Sequence, residues 1–372
     1  SNTFVGSEAG KGGTTSAPFS SGQYNVAVGA NALDAFTQGN LNVAVGYQAL
    51  SAETIGISTV AIGDNAGVAQ NFGSNGSTYN TMVGSGAGFW NVTGTGNTYL
   101  GAGAGTGASG QSNNNNTAVG NAALTSITTG IQNTIMGASA GRNITTGGNN
   151  VIIGRVAAYA STDVDKAVII GEQAAYTGNM TSAADGTISI GSNAGKNVTS
   201  AEASTFVGSG AGANVTTGDH NTAFGKSAGS QITTGGETVT VGYLAGQYAT
   251  GSYNTFVGSA AGQGGTTSAP YSSGENNTAL GYQALTAFTT GGNNIAIGYQ
   301  ASVALTTATM TVTIGYLAGN SITTGGSNIM IGREAGKNIT TTTSNVIIGD
   351  RAGQNLGGSN ADNHANRNVI IG

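Results

Sequence analysis

The chain has 372 residues and a net charge of −5, from 10 basic and 15 acidic side chains scattered without a basic run. That excludes nucleic acid and anionic membrane as favoured partners, and the absence of cysteine excludes disulfides and thiolate metal sites. With 7% charged and 38% hydrophobic residues it is too apolar for a disordered chain, and 66 glycines against 2 prolines exclude collagen. No apolar run approaches the roughly 18 residues that span a bilayer.

A five-residue phrase of the form Asn-Thr-Ala-Val-Gly occurs 21 times, from the copy closing at Gly6 to the copy closing at Gly372, and 13 of the 20 intervals are 17 residues. A short period kept end to end predicts a stacked array in which each repeat buries its apolar face against its neighbours. The expected fold is all-β: a parallel β-solenoid of about 21 coils, read as one continuous segment over 1–372. At about 4.8 Å per coil it makes a rod of roughly 100 Å.

Counting from the closing glycine, position −4 is Asn in 15 copies, as at Asn25, Asn42 and Asn80, and stacked amides predict a hydrogen-bond ladder. Positions −3 and −1 are β-branched or large and apolar, and share one face of a strand. Position −2 points the other way yet is also apolar in most copies, as at Phe4, Met82 and Ile135. A strand apolar on both faces is covered on both. One face enters the solenoid core; the other calls for a partner, and a second copy of the chain is the simplest.

Position +3 is alanine in all 20 copies that include it, which predicts a seam with room for a methyl and no more. Position +7 is again apolar in the regular coils, as at Phe36, Ile127 and Ile322, and its parity with +3 predicts a second strand. Thr-Thr-Gly triplets then place a turn glycine at +10, as at Gly130 and Gly291. Each coil therefore reads as strand, glycine corner, strand, glycine turn.

Along the chain, the first interruption is the loop 12–22, which returns as 264–274 with Tyr271 in place of Phe19. The offset of 252 residues equals 14 coils and marks a duplicated block; Pro18 and Pro270 both lie in this pair of loops. Further expansions fall at 68–79, with Phe89-Trp90 beside it, and at 108–115, 179–186 and 353–367. The string 101–107 imitates a phosphate loop but has no following helix and no Lys-Ser/Thr pair. Asp163 and Asp165 read as a solvated turn in preference to a cation site, and His220 and His364 have no catalytic partners at useful spacing. The Asn-x-Thr sequons at Asn91, Asn143, Asn197, Asn214 and Asn338 follow automatically from the repeat.

Two aromatic features stand out. Tyr282, Tyr299 and Tyr316 occupy +1 of three successive coils, with Tyr243 and Tyr47 in the same register elsewhere. They read first as rings stacked along a ridge, and secondly as a strip for stacking sugars. Phe19, Tyr271 and Trp90 sit at or beside expanded loops, where they either pack down on the solenoid or contact a cell-surface glycan.

The phrases at 25–29, 116–120 and 294–298 (Asn-Val-Ala-Val-Gly, Asn-Thr-Ala-Val-Gly, Asn-Ile-Ala-Ile-Gly) resemble the head repeats of trimeric autotransporter adhesins. The resemblance implies a left-handed parallel β-roll wound as a homotrimer. The fuller repeat at 276–292, Asn-Asn-Thr-Ala-Leu-Gly-Tyr-Gln-Ala-Leu-Thr-Ala-Phe-Thr-Thr-Gly-Gly, is even more similar to repeats of bacteriophage tail-fibre proteins. Coils of 17 residues are longer than those of the adhesin heads, and the basic neck and coiled-coil stalk of that family do not appear, which favours the phage fibre. The chain begins Ser1-Asn2-Thr3 inside a repeat and ends at Ile371-Gly372, so it reads as a segment of a longer protein.

The expected function is accordingly a structural, host-attachment segment of a virion tail fibre. It works outside cells, without catalysis or cofactor, and its partners are its own copies, other tail proteins and a host glycan. A bacterial trimeric surface adhesin is the first alternative. An ice-binding solenoid is the second, disfavoured because the paired threonines point to opposite faces.

Overall fold

The computed structural model describes residues 1–13, 20–110, 112–265, 271–356 and 366–372, in two compact units, Ser1–Gly186 and Thr187–Gly372. Every repeat phrase forms one strand of three residues that ends just before its glycine. The strands run from β1 (Thr3–Val5) to β10 (Val168–Ile170) in the first unit and from β11 (Ile188–Ile190) to β21 (Val369–Ile371) in the second. Within each unit successive strands pair in parallel and in perfect repeat register, for example Val43↔Val60, Ala44↔Ala61 and Val45↔Ile62. Each unit is a parallel β-solenoid. Its helical content among the described residues is a single 3₁₀ turn at Ser182–Ala184.

The two faces of the strand now separate. Position −2 points inward: Ala27, Met82, Tyr99, Ile135, Phe206 and Met330 are all fully buried. Positions −1 and −3 point out. A single chain therefore closes its core over one face of the strand and leaves the other apolar and open.

The second strand expected around +3 to +7 is absent. That stretch is a chain of turns, with left-handed backbone at +2 and +4 (φ 52° at Gln48, 55° at Leu50) and i→i+3 bonds such as Ala49 N–H to Gly46 O at 3.4 Å. Alternation of right- and left-handed residues curls the backbone tightly, whereas a strand would carry it straight on. The alternate bonds run between coils, with Leu50 N–H donating to Ala66 O at 3.0 Å. The parity argument succeeded on burial alone: Ala49, Ala123 and Ala228 at +3 and Ile127 and Phe288 at +7 are fully buried. The alanine seam is closed by the chain itself.

The repeat glycine is obligatory for two reasons. At Gly137 φ is +135°, and a Cβ there would lie 2.5 Å from the carbonyl oxygen of Gly154 on the next coil.

Positions −2 and +4 share core volume. Leu stands at +4 only in coils with Ala at −2, as in Ala118 with Leu124 and Ala279 with Leu285. Where −2 is large, +4 is Gly or Ala: a Cβ on Gly105 would lie 2.5 Å from the Tyr99 ring, and one on Gly141 would lie 2.7 Å from Ile135 Cδ1. The two positions fill one cavity from opposite sides, as a close-packed interior requires.

The asparagine ladder forms as expected. Asn42 N–H donates to Asn25 Oδ1 at 3.0 Å, and Asn42 Nδ2 donates to Gly56 O of its own coil at 2.9 Å. Each buried amide therefore both stacks coils and ties the turn to the strand, so its polar atoms are satisfied.

Candidate functional site

The longest exposed feature is the outward face of the strands. At −1, Leu100 is 47% exposed, Met136 49%, Phe224 56% and Leu280 46%. The smaller Val and Ile residues in the same row of each unit are mostly half-buried. Such a stripe of unpaired apolar side chains on a monomer marks an interaction surface.

The second feature is the ridge at +1. Tyr282, Tyr299 and Tyr316 stand out from three consecutive coils as stacked rings, with centroids 5.3 Å apart and interplanar angles of 17° and 16°. Each ring is close to half exposed, but both faces of Tyr299 and the faces of Tyr282 and Tyr316 towards it are taken by stacking. The strip is therefore a ladder whose inner faces are closed to a sugar. The row continues as Arg333 and Asp350, joined at 2.7 Å. That hydrogen bond and the neighbouring guanidinium hold the Asp350 carboxyl below the usual carboxylate range.

The loop aromatics fall differently. Tyr271 packs on Tyr248, stacked at 6.0 Å and 18°, and is half-buried. Trp90 remains 38% exposed, in edge contact with Phe89 at 4.7 Å. Phe19 lies outside the described residues, as do Pro18, Pro270 and His364. The structure brings Tyr282, Tyr299 and Tyr316 together, and leaves Trp90 separate from them in the other unit.

The polar candidates are absorbed by stacking. Gly148 N–H donates to Asp165 Oδ1 at 2.5 Å, and Asp165 N–H donates to Asp185 Oδ1 at 2.8 Å. His220 is exposed in a left-handed turn. No group of three or more His, Asp or Glu among the described residues is placed to hold a metal ion.

Sequence reasoning missed a polar patch inside the first unit. Glu53 and Gln70 occupy +7 of neighbouring coils, where other coils carry Phe or Ile, and both are fully buried. Glu53 accepts from Gly56 N–H at 2.7 Å, from Gln70 Nε2 at 3.1 Å and from Phe72 N–H at 3.3 Å. Gln70 Nε2 also donates to Thr59 Oγ1 at 2.8 Å, and Gln70 Oε1 accepts from Asn80 Nδ2 at 2.9 Å. Thr59 stands where the ladder loses an asparagine, and Gln70 bridges the gap. The clue was Glu and Gln at an otherwise apolar register beside the 68–79 expansion. Its donors and acceptors satisfy one another, so the patch anchors that loop rather than awaiting a ligand.

No family model matches this chain, and no curated protein matches it either.

Proposed function

We propose that this chain is a structural and host-attachment segment of a bacteriophage tail fibre, assembled as a homotrimer through the outward faces of its strands. The carrying observation is the exposed apolar stripe of each unit, with Leu100 and Met136 in the first and Phe224 and Leu280 in the second. Bringing the stripes of three copies together around a common axis removes those side chains from water. Repetition supports a mechanical role, since within each unit successive coils are tied by paired strands and the arch, and most of them also by the asparagine ladder. The variation that meets solvent includes the ridge and the expanded loops, where Trp90, Tyr271 and the Tyr282–Tyr299–Tyr316 ladder are open to a cell-surface glycan. No side chain group is arranged for catalysis on this reading.

Light scattering of the purified chain tests the assembly. The expected result is a particle of three times the 36.2 kDa chain mass, converted to monomer by paired Met136→Asp and Leu280→Asp. A monodisperse monomer overturns the trimer. Attachment is tested by host-cell binding after replacing Phe19, Tyr271 and Trp90 together with alanine: loss of binding by a still-folded chain supports it, and undiminished binding removes these residues from it.

The bacterial adhesin is distinguished by gene neighbourhood, since tail and baseplate genes mark a phage fibre and a translocator barrel marks an adhesin. Ice binding is disfavoured by the threonine geometry. The first Thr of each pair hydrogen-bonds up the stack, as in Thr128 Oγ1 to Thr145 O at 3.0 Å. Only the second, such as Thr129, is exposed, which gives a single file instead of paired ranks. Ice-recrystallisation inhibition at low concentration would reverse that ranking.

A further inference from the structure

The +1 ridge of the second unit carries a ladder with one rung missing. Tyr243, Ser259 and Tyr282 are the +1 residues of three consecutive coils, whose strands Val239–Val241, Thr255–Val257 and Thr278–Leu280 pair in parallel. Beyond Tyr282 the rungs are filled by Tyr299 and Tyr316. At Ser259 a hydroxymethyl stands where a ring would be, so Tyr243 and Tyr282 flank an open slot floored by serine. Tyr243 is 53% exposed and Tyr282 46%, with one face of Tyr282 taken by Tyr299 and the other turned to the slot.

We propose that this slot binds a pyranose ring, inserted between Tyr243 and Tyr282 as the absent rung. The proposal rests on the reading of the chain as an attachment segment and names the chemistry of one of its contacts. Two coil spacings separate the flanking residues, roughly 10 Å. The interval is the one that Tyr299 fills between Tyr282 and Tyr316, with centroids 5.3 Å to either side, so a six-membered ring fits it. A pyranose carries axial C–H groups on both faces. It meets the negative faces of two tyrosines at once, while its hydroxyls reach the Ser259 hydroxyl and water. The slot is specific to this place. In the duplicated block of the first unit the same register reads Ser7, Ala30, Tyr47 and Asp64, which supplies the serine but no wall beside it.

Saturation-transfer NMR with methyl hexopyranosides of glucose, galactose and mannose, in both anomeric forms, tests the slot on the full chain. The expected result is transfer to the ring protons of at least one hexoside. Ser259→Tyr fills the rung and reduces that transfer to background, Tyr243→Ala weakens it roughly fivefold, and His220→Ala, in an exposed turn outside the ridge, leaves it unchanged. Circular dichroism confirms that each variant keeps the native fold. Absence of transfer from every hexoside, native-level transfer in Ser259→Tyr, or transfer to 4-nitrophenol with none to the hexosides overturns the proposal. Host-cell attachment separates this result from the wider reading. Cell binding that persists while hexoside transfer is absent removes the slot alone; hexoside transfer without cell binding keeps the slot and removes the attachment role.

Discussion

The duplicated block lets two regions be compared rung by rung, one in each unit. Inside, the first two coils of the block are nearly the same. Phe4 meets Phe36 edge-on at 5.4 Å, and the corresponding Phe256 meets Phe288 at 5.5 Å. Ala27 with Leu33 returns as Ala279 with Leu285, all fully buried. The bases of the paired loops are pinned alike, by Ser20 Oγ to Phe36 O at 2.9 Å and Ser272 Oγ to Phe288 O at 2.7 Å. Outside, they diverge. The ridge Ser7-Ala30-Tyr47-Asp64 of the first block becomes Ser259-Tyr282-Tyr299-Tyr316 in the second, with stacked rings. Packing limits what can change inside, where Leu50, Glu53 and Ala61 become Ser302, Leu305 and Thr313, all still buried. The ridge faces water, so it is free to change, and a difference that is free to arise is where contact chemistry is found.

The strongest way to break the comparison is to empty the shared core. Phe288→Ala and Phe36→Ala each remove a buried ring and should each cost roughly 3–5 kcal/mol. Denaturant unfolding should show the two losses to be similar; a large disparity would mean that the two cores are not equivalent.

Next is the alanine seam. Ala228→Leu forces three extra carbons into a space closed by the chain itself, at roughly 1–3 kcal/mol. Ser227→Leu should cost far less, because Leu244 and Leu317 already occupy that register with the same left-handed backbone. Equal shifts in thermal unfolding would refute the assignment of faces.

Asn294→Ala removes the amide that donates to Asn277 Oδ1 at 3.1 Å and to Ala308 O at 2.9 Å, and that accepts from Thr311 N–H at 3.0 Å. Leaving those backbone groups unpaired should cost about 1–3 kcal/mol. A loss of amide-exchange protection centred on Ala308 and Thr311 checks it.

The smallest effect belongs to the exposed end of the second ridge. Hydrogen bonding to Arg333 lowers the folded-state pKa of Asp350. Its contribution is therefore complete above the unfolded carboxylate value and is lost as pH falls through the folded one. The difference in melting temperature between native chain and Asp350→Asn, small at neutral pH, should close on acidification; a difference that widens would contradict the sign.

Much of this could be read directly. The period, the three-residue strands, the burial of Ala at +3 and Ile or Phe at +7, and the amide ladder through Asn25 and Asn42 all follow from internal repetition, because 20 copies average out local accident. The stacked ridge was also legible, since Tyr282, Tyr299 and Tyr316 share a register. The arch was not: alternating φ at Gln48 and Leu50 leaves the same burial parity as a strand. The Glu53–Gln70 patch was hidden for another reason, as its partners come from different coils.

The sequence by itself determined the repeat, its register and which positions carry apolar weight, because those depend on periodicity alone. Tertiary structure decided which strand face is inside. Both faces are apolar in the sequence, and only closure of the arch over −2 and +4 shows that −1 and −3 are left outside. It also decided which aromatics remain open. Tyr271 packs on Tyr248 and the middle of the tyrosine ladder is closed by its own stacking, while Tyr243 and Tyr282, one coil to either side of Ser259, stay about half exposed. Availability of a ring depends on what stands one coil away, and that neighbour is set by how the coils are stacked.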